Sequence, residues 1–157
     1  MISHKIIITG IVQGVGFRPF IYNLARQYQL TDWVRNNSHG VEIVAQGEPI
    51  QLARFAEIIQ NSPPPRGRIE RFEVTQFITA EKFLEFRIVE SQNEQMKSVQ
   101  ISPDLDVCLD CRREMFDSSN RRYLYPFINC TNCGPRFTII KDVPYDRPLT
   151  TMHEFKM

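Results

Sequence analysis

The sequence has almost no net charge, no long apolar run and no secretion-signal pattern in its first residues, and each absence counts against a class of function. Lys and Arg number 19 against 18 Asp and Glu, a formal net charge of +1. The balance is the same before and after residue 90, so nucleic-acid binding has no global electrostatic support and would need a local patch. No apolar run approaches the roughly 18 residues of a membrane span. Ser3, His4 and Lys5 precede only a short strand-like run with no cleavage pattern. The expectation is a soluble, cytoplasmic chain with no membrane partner. Cysteine is limited to four residues in two Cys-x-x-Cys pairs, which without a secretion signal favours thiolates and metal over disulfides. What is present, 42% hydrophobic residues in a chain of 157, suffices for one good core and a small appendage.

Ile6, Ile7, Ile8 and Ile11 read as a first strand, central enough to be apolar throughout. A helix from Pro19 to about Tyr28 follows, with Phe20, Ile21, Leu24, Ala25 and Tyr28 as its apolar stripe and Leu30, Thr31 and Asp32 closing it. Trp33 to Asn36 begins a second strand. Val41, Ile43 and Ala45 mark the buried face of a third, and Asn37-Ser38-His39-Gly40 between them has hairpin chemistry, with Gly40 available for positive φ. Gly47-Glu48-Pro49 opens a second helix through Leu52, Phe55, Ala56 and Ile59, which stops before Ser62-Pro63-Pro64-Pro65. Ile69 to Phe77 supplies a fourth strand with Phe72 and Val74 facing one way, and Leu84, Phe86 and Ile88 mark a fifth. The order strand, helix, strand, strand, helix, strand is that of an α+β, ferredoxin-like split βαβ sandwich. We place this unit at 1–91, a polar linker at 92–101 and a second, cysteine-bearing unit at 102–157.

Between the first strand and the first helix stands Val12-Gln13-Gly14-Val15-Gly16-Phe17-Arg18-Pro19. Pro19 fits a first helical turn. Gly14 and Gly16 permit backbone angles that turn successive N–H groups toward one point, and the helix N-terminus adds partial positive charge: a nest for an anion. Arg18 can grip two oxygens of a phosphoryl group. The loop lacks the Lys-Ser/Thr ending of a P-loop, and Pro19 stands where a dinucleotide fingerprint needs its third glycine. A plain strand-to-helix turn, with Arg18 in an ordinary salt bridge, is the alternative on the residues alone.

The string Val12 to Arg18 resembles the phosphate-binding signature of acylphosphatases, and Trp33-Val34-Arg35-Asn36-Asn37-Ser38-His39-Gly40-Val41-Glu42 resembles that family's second motif. His39 departs from the acidic residue that many members carry before the glycine. The resemblance implies the ferredoxin-like fold, with the second strand running alongside the first so that Asn36 approaches the loop. It also implies roles: backbone amides of Gln13, Gly14, Val15, Gly16 and Phe17 with Arg18 hold the phosphoryl group, and Asn36 fixes the attacking water. Pro19-Phe20 and the later cysteine pairs resemble, more narrowly, the N-terminal portion of hydrogenase-maturation carbamoyltransferases of the HypF type. That family implies carbamoyl phosphate as substrate. Its downstream carbamoyltransferase domains and a carbamoyl-accepting hydrogenase-maturation protein are the implied partners. A second finger with its own pair of cysteine knuckles, a nucleotide-binding domain and a carbamoyl-transfer domain follow in that family, and none lies within these residues.

Cys108-Leu109-Asp110-Cys111 and Cys130-Thr131-Asn132-Cys133 are separated by 18 residues, inside the spacing of paired zinc knuckles. Four thiolates leave no open coordination position, so the zinc expected here is structural. Tyr123, Tyr125 and Phe127 are expected to pack a tiny core around it. Arg112, Arg113, Arg121, Arg122 and Arg136 lie nearby, but Asp110, Glu114, Asp117 and Asp142 offset them. Two rivals to an acyl-phosphate hydrolase stay open: a non-catalytic phosphate or small-ligand binder, and a zinc-dependent RNA-binding module.

Overall fold

The computed structural model describes residues 2–92 and 98–155. In chain order it has β1 (Ile2–Ile11), α1 (Phe17–Gln27), β2 (Thr31–Asn36), β3 (Val41–Gln46), α2 (Pro49–Asn61), β4 (Arg68–Ile78), β5 (Phe86–Ile88) and α3 (Leu109–Phe116). One sheet, ordered β4-β1-β3-β2-β5, is antiparallel except where β5 joins β2. This is the expected α+β sandwich. The second strand does not run beside the first: the β2–β3 hairpin inserts β3 between them, and β3 pairs antiparallel with both.

The strand period of two explains where the core lies. Ile6 of β1 faces Ile43 of β3, which faces Val34 of β2, and all three are fully buried. Ile21, Leu24 and Ala25 of α1 and Leu52, Phe55 and Ile59 of α2 join them in one cluster. Each large aliphatic or aromatic side chain in it contributes about 1.5–3 kcal/mol by leaving water. The sheet's margins are thinner than the alternation suggests. Val74 and Ile88 are 43% and 45% exposed, and Leu84, at 96%, lies outside β5, so Phe86 alone of its trio is buried. β5 is three residues long and lies at the sheet's edge, where Phe86 is buried while Ile88, on the same face, stays exposed.

Two boundaries differ from the sequence reading. α1 starts at Phe17, which puts Arg18 in its first turn, and Thr31 and Asp32 begin β2 rather than ending the helix. Gly40 is not at positive φ; Ile8 O approaches its Cα so closely that a Cβ would collide with it. Asn37 turns the hairpin instead, its Oδ1 accepting from His39 N and Gly40 N at 2.9 Å each.

Charges on the sheet follow from their partners. Buried Glu42 lies 2.8 Å from Lys5 and 2.7 Å from Arg35, and although burial acts to raise its pKa, these cations hold it below the usual carboxylate range. Asp32 has no such help. It is 3% exposed with φ +105°, its Oδ1 has no hydrogen-bond partner among the described residues, and burial, aided by Glu81, pushes its carboxyl up to about 7. Among the described residues no helix is long and apolar enough to cross a membrane.

The segment expected as a linker lies partly outside the described residues. Its described flanks are tied to the hairpin: Gln92 N donates to Asn36 O at 3.0 Å, and Ser98 N and Val99 N donate to Ser38 O at 2.9 and 3.1 Å.

Candidate functional site

The loop after β1 has the conformation its glycines allow. Gly14 and Gly16 sit at φ +71° and +77°, and Gly16 is the N-cap of α1. Val15 and Phe17 bury their side chains in the core, which leaves only their backbone to meet an anion. Arg18 projects from the first helical turn and Asn36 from the end of β2, and the fold brings them together. With its oxygen turned toward the guanidinium, the Asn36 amide accepts from Arg18 Nε and Nη2 at 3.2 Å each. Two charge-assisted bonds outweigh the opposite orientation, in which Nδ2 would reach Tyr145 O at 3.4 Å.

The side chain of Gln13, singled out in sequence only for its backbone, is fully used. Its Nε2 donates to Asn37 O and Gly40 O at 2.8 and 2.7 Å, and its Oε1 accepts from Tyr145 N at 2.7 Å. One residue thereby ties the loop to the hairpin below and to the cysteine-bearing segment above. Periodicity carries no trace of this, because the partners are 24, 27 and 132 residues away.

The four cysteines converge. Their Sγ atoms all lie within 4.8 Å of one another, with neighbouring pairs at 3.6–3.7 Å. A disulfide needs about 2.05 Å, and the edge of a tetrahedron with bonds of about 2.3 Å is about 3.8 Å, so the donor set fits one zinc ion. Cys108 caps α3 and accepts from Cys111 N, which holds its thiol below the usual range, whereas burial pushes Cys111 and Cys130 up. Gly134, at φ +88°, makes the turn after the second pair and exchanges two 3.0 Å backbone bonds with Leu105.

The aromatic residues do not pack around the cysteines. Tyr123, Tyr125 and Phe127 are 46%, 40% and 63% exposed, and the buried cluster is Cys111, Ile128 and Cys133. The aromatics line instead a cleft of about 910 Å³ that runs between this unit and the loop, with Gly14, Gly16, Arg18 and Asn36 on its other wall.

Arg136 seals one end of the cleft. It is 3% exposed, donates from Nε to Gly14 O and from Nη2 to Cys130 O at 2.9 Å, and lies over the Tyr145 ring at 5.7 Å. Because a peptide unit is planar, holding the Gly14 carbonyl also fixes the direction of the Val15 N–H. Asp146 meets the cradle directly: its Oδ1 is 2.6 Å from Arg18 Nη2, while Tyr145 O lies 3.4 Å from the same nitrogen and Ser91 Oγ 3.4 Å from Nη1. Arg18 is therefore in a salt bridge, but inside the cleft. Neither Asp146 nor Tyr145 belongs to a sequence motif that could have flagged it.

Residues 4–88 match the acylphosphatase family. The chain belongs to the acylphosphatase family. Residues 107–140 match the HypF finger, so the acylphosphatase domain here is joined to a four-cysteine unit of that kind. Carbamoyltransferase HypF of Synechocystis sp. is 48% identical over 149 residues, covering 95% of this chain and 19% of its own. A crystal structure of full-length HypF in a phosphate- and nucleotide-bound form superposes with TM-score 0.94 at 47% identity, over 99% of this chain and 21% of that one. The acylphosphatase of Bacillus subtilis is 38% identical over 92 residues, 58% of this chain and 100% of the relative. The chain thus spans about a fifth of the length of the HypF relatives and the whole length of an acylphosphatase.

Proposed function

We propose that the chain binds an acyl phosphate, carbamoyl phosphate in particular, and hydrolyses it. The observation that carries this is the meeting of Arg18 and Asn36 beside a loop whose Gly14 and Gly16 are at positive φ. A carbamate or carboxylate already leaves readily, so the protein's task is to hold the phosphoryl oxygens and align a water. Arg18 and the amides of Gln13 to Phe17 do the holding. Asn36, whose amide both donates and accepts, orients the water. No side chain acts as nucleophile.

Units 1–91 and 102–157 divide the work. Cys108, Cys111, Cys130 and Cys133 hold a structural zinc, which with four thiolates has no position left for substrate. Its function is to fold the finger that carries Arg136, Tyr145 and Asp146. In the longer relatives the released carbamate passes, on this reading, to carbamoyl-transfer domains and then to a hydrogenase-maturation acceptor, all in the cytoplasm.

Phosphate release from carbamoyl phosphate above its spontaneous breakdown is the direct test. Arg18→Ala loses about 3 kcal/mol of transition-state stabilisation, roughly 100-fold in rate; retention of activity within about threefold overturns the assignment. Asn36→Ala lowers turnover while inorganic phosphate still binds. Phosphate binding with no turnover in the unaltered chain selects a non-catalytic binder.

A further inference from the structure

The two walls of the cleft meet at Arg18 with opposite polarity. The sandwich presents the Arg18 guanidinium. The finger's wall also carries Arg121, Arg122 and Arg147, but what it sets against Arg18 are acceptors: Asp146 Oδ1 at 2.6 Å and Tyr145 O at 3.4 Å from Nη2. This acceptor wall is firmly placed, since Tyr145 N is bonded to Gln13 Oε1 at 2.7 Å and Arg136 spans from Gly14 O to Cys130 O beneath the Tyr145 ring. It is also an addition to the acylphosphatase plan, because the acylphosphatase match ends at residue 88 and 92 residues account for a whole acylphosphatase.

We propose that Asp146 and the Tyr145 carbonyl read the acyl half of the substrate and select a carbamoyl group over an acetyl group of the same size. The inference rests on the acyl-phosphate reading and says which acyl group the site prefers. A guanidinium has five N–H donors, so Arg18 can keep Asp146 on Nη2 and Asn36 on Nε and still turn Nη1, held only by a 3.4 Å contact to Ser91 Oγ, to the phosphoryl oxygens. That leaves the acyl end against a carbonyl and a carboxylate, groups that accept but have no proton to give. A carbamoyl NH2 brings two N–H donors to them. An acetyl methyl brings none and strips water from both, and sites built around polar groups reject an isostere through such unpaired acceptors. The same carboxylate repels acyl groups that carry negative charge.

The test compares carbamoyl phosphate with acetyl phosphate by kcat/KM in the 157-residue chain and in Asp146→Ala. Binding of phosphonoacetamide and acetonylphosphonate is measured in parallel by calorimetry, since that pair carries the same acyl difference without a bond to hydrolyse. The unaltered chain favours the carbamoyl member by roughly tenfold or more. Asp146→Ala brings the ratio within about threefold, the acetyl member holding steady or improving. Asp146→Asn keeps the size, loses the charge, and gives a smaller drop in the same ratio should the alanine variant not fold. A ratio unchanged by substitution overturns the proposal, whether both substrates improve together, as for a carboxylate that merely occupies the cradle, or weaken together, as for one that merely steadies Arg18. Absence of any preference in the unaltered chain overturns it too. Selective phosphonate binding without hydrolysis supports it while removing the hydrolase reading, so the two fail separately.

Discussion

The sandwich and the finger reach order by different physics. Among the described residues the sandwich buries 17 apolar residues drawn from β1, β2, β3, β5, both helices and the loops between them, whereas the finger's buried cluster is Ile128 and two cysteines. The first has a hydrophobic core of the size small domains rely on; the second has almost none, and its four converging cysteines are the donor set of a zinc ion that would join distant segments. The site lies at their seam. On the proposed reading its phosphoryl half stands on the sandwich and its acyl half on the four-cysteine unit, so the two halves fail under different insults.

Metal removal separates them most strongly. A strong chelator costs the finger on the order of 10 kcal/mol; limited proteolysis then cuts between residues 105 and 155 while far-UV circular dichroism of the sheet persists. Loss of both units together would show that the seam, not the metal, holds the finger.

Asp32 probes the sandwich alone. Its carboxyl titrates at about 7 in the fold against 3.8 for the ordinary group. Between those values the folded chain binds more protons than the unfolded one, so stability falls as pH rises through the window, and above pH 7 the loss is on the order of 4 kcal/mol. Asp32→Asn removes that slope, which thermal unfolding at pH 5 and pH 8 measures, and leaves proteolysis of the finger unchanged.

Arg136→Lys probes the seam. Lysine keeps the charge but lacks the fork that reaches Gly14 O and Cys130 O together, a loss of about 2 kcal/mol. Faster hydrogen exchange at residues 142–146, with the sheet's unfolding midpoint unmoved, is the expected result; a fall in both would mean that Arg136 supports the sandwich core.

Much of this was legible because it is local. Gly14 and Gly16 take the left-handed angles that a strand-to-helix nest requires, and two Cys-x-x-Cys pairs at zinc spacing do converge. The misreadings came where neighbours far along the chain decide. Gly40 is glycine for the approach of Ile8 O, and Asp32 begins a strand at a strained φ. Tyr123, Tyr125 and Phe127 line a cleft formed with the distant loop, while Cys111, Ile128 and Cys133 make up the finger's buried cluster.

Periodicity, glycine placement and the Cys-x-x-Cys spacing act over short stretches of chain, so the order of letters alone determined the sandwich, the left-handed loop at Gly14 and Gly16, and the four-cysteine cluster. The meeting of Arg18 with Asp146 across 128 positions, and of Arg136 with Gly14 across 122, was decided only when the finger closed on the loop. No short-range pattern encodes a contact between two separately folded surfaces; shape and charge complementarity exist only once both have formed.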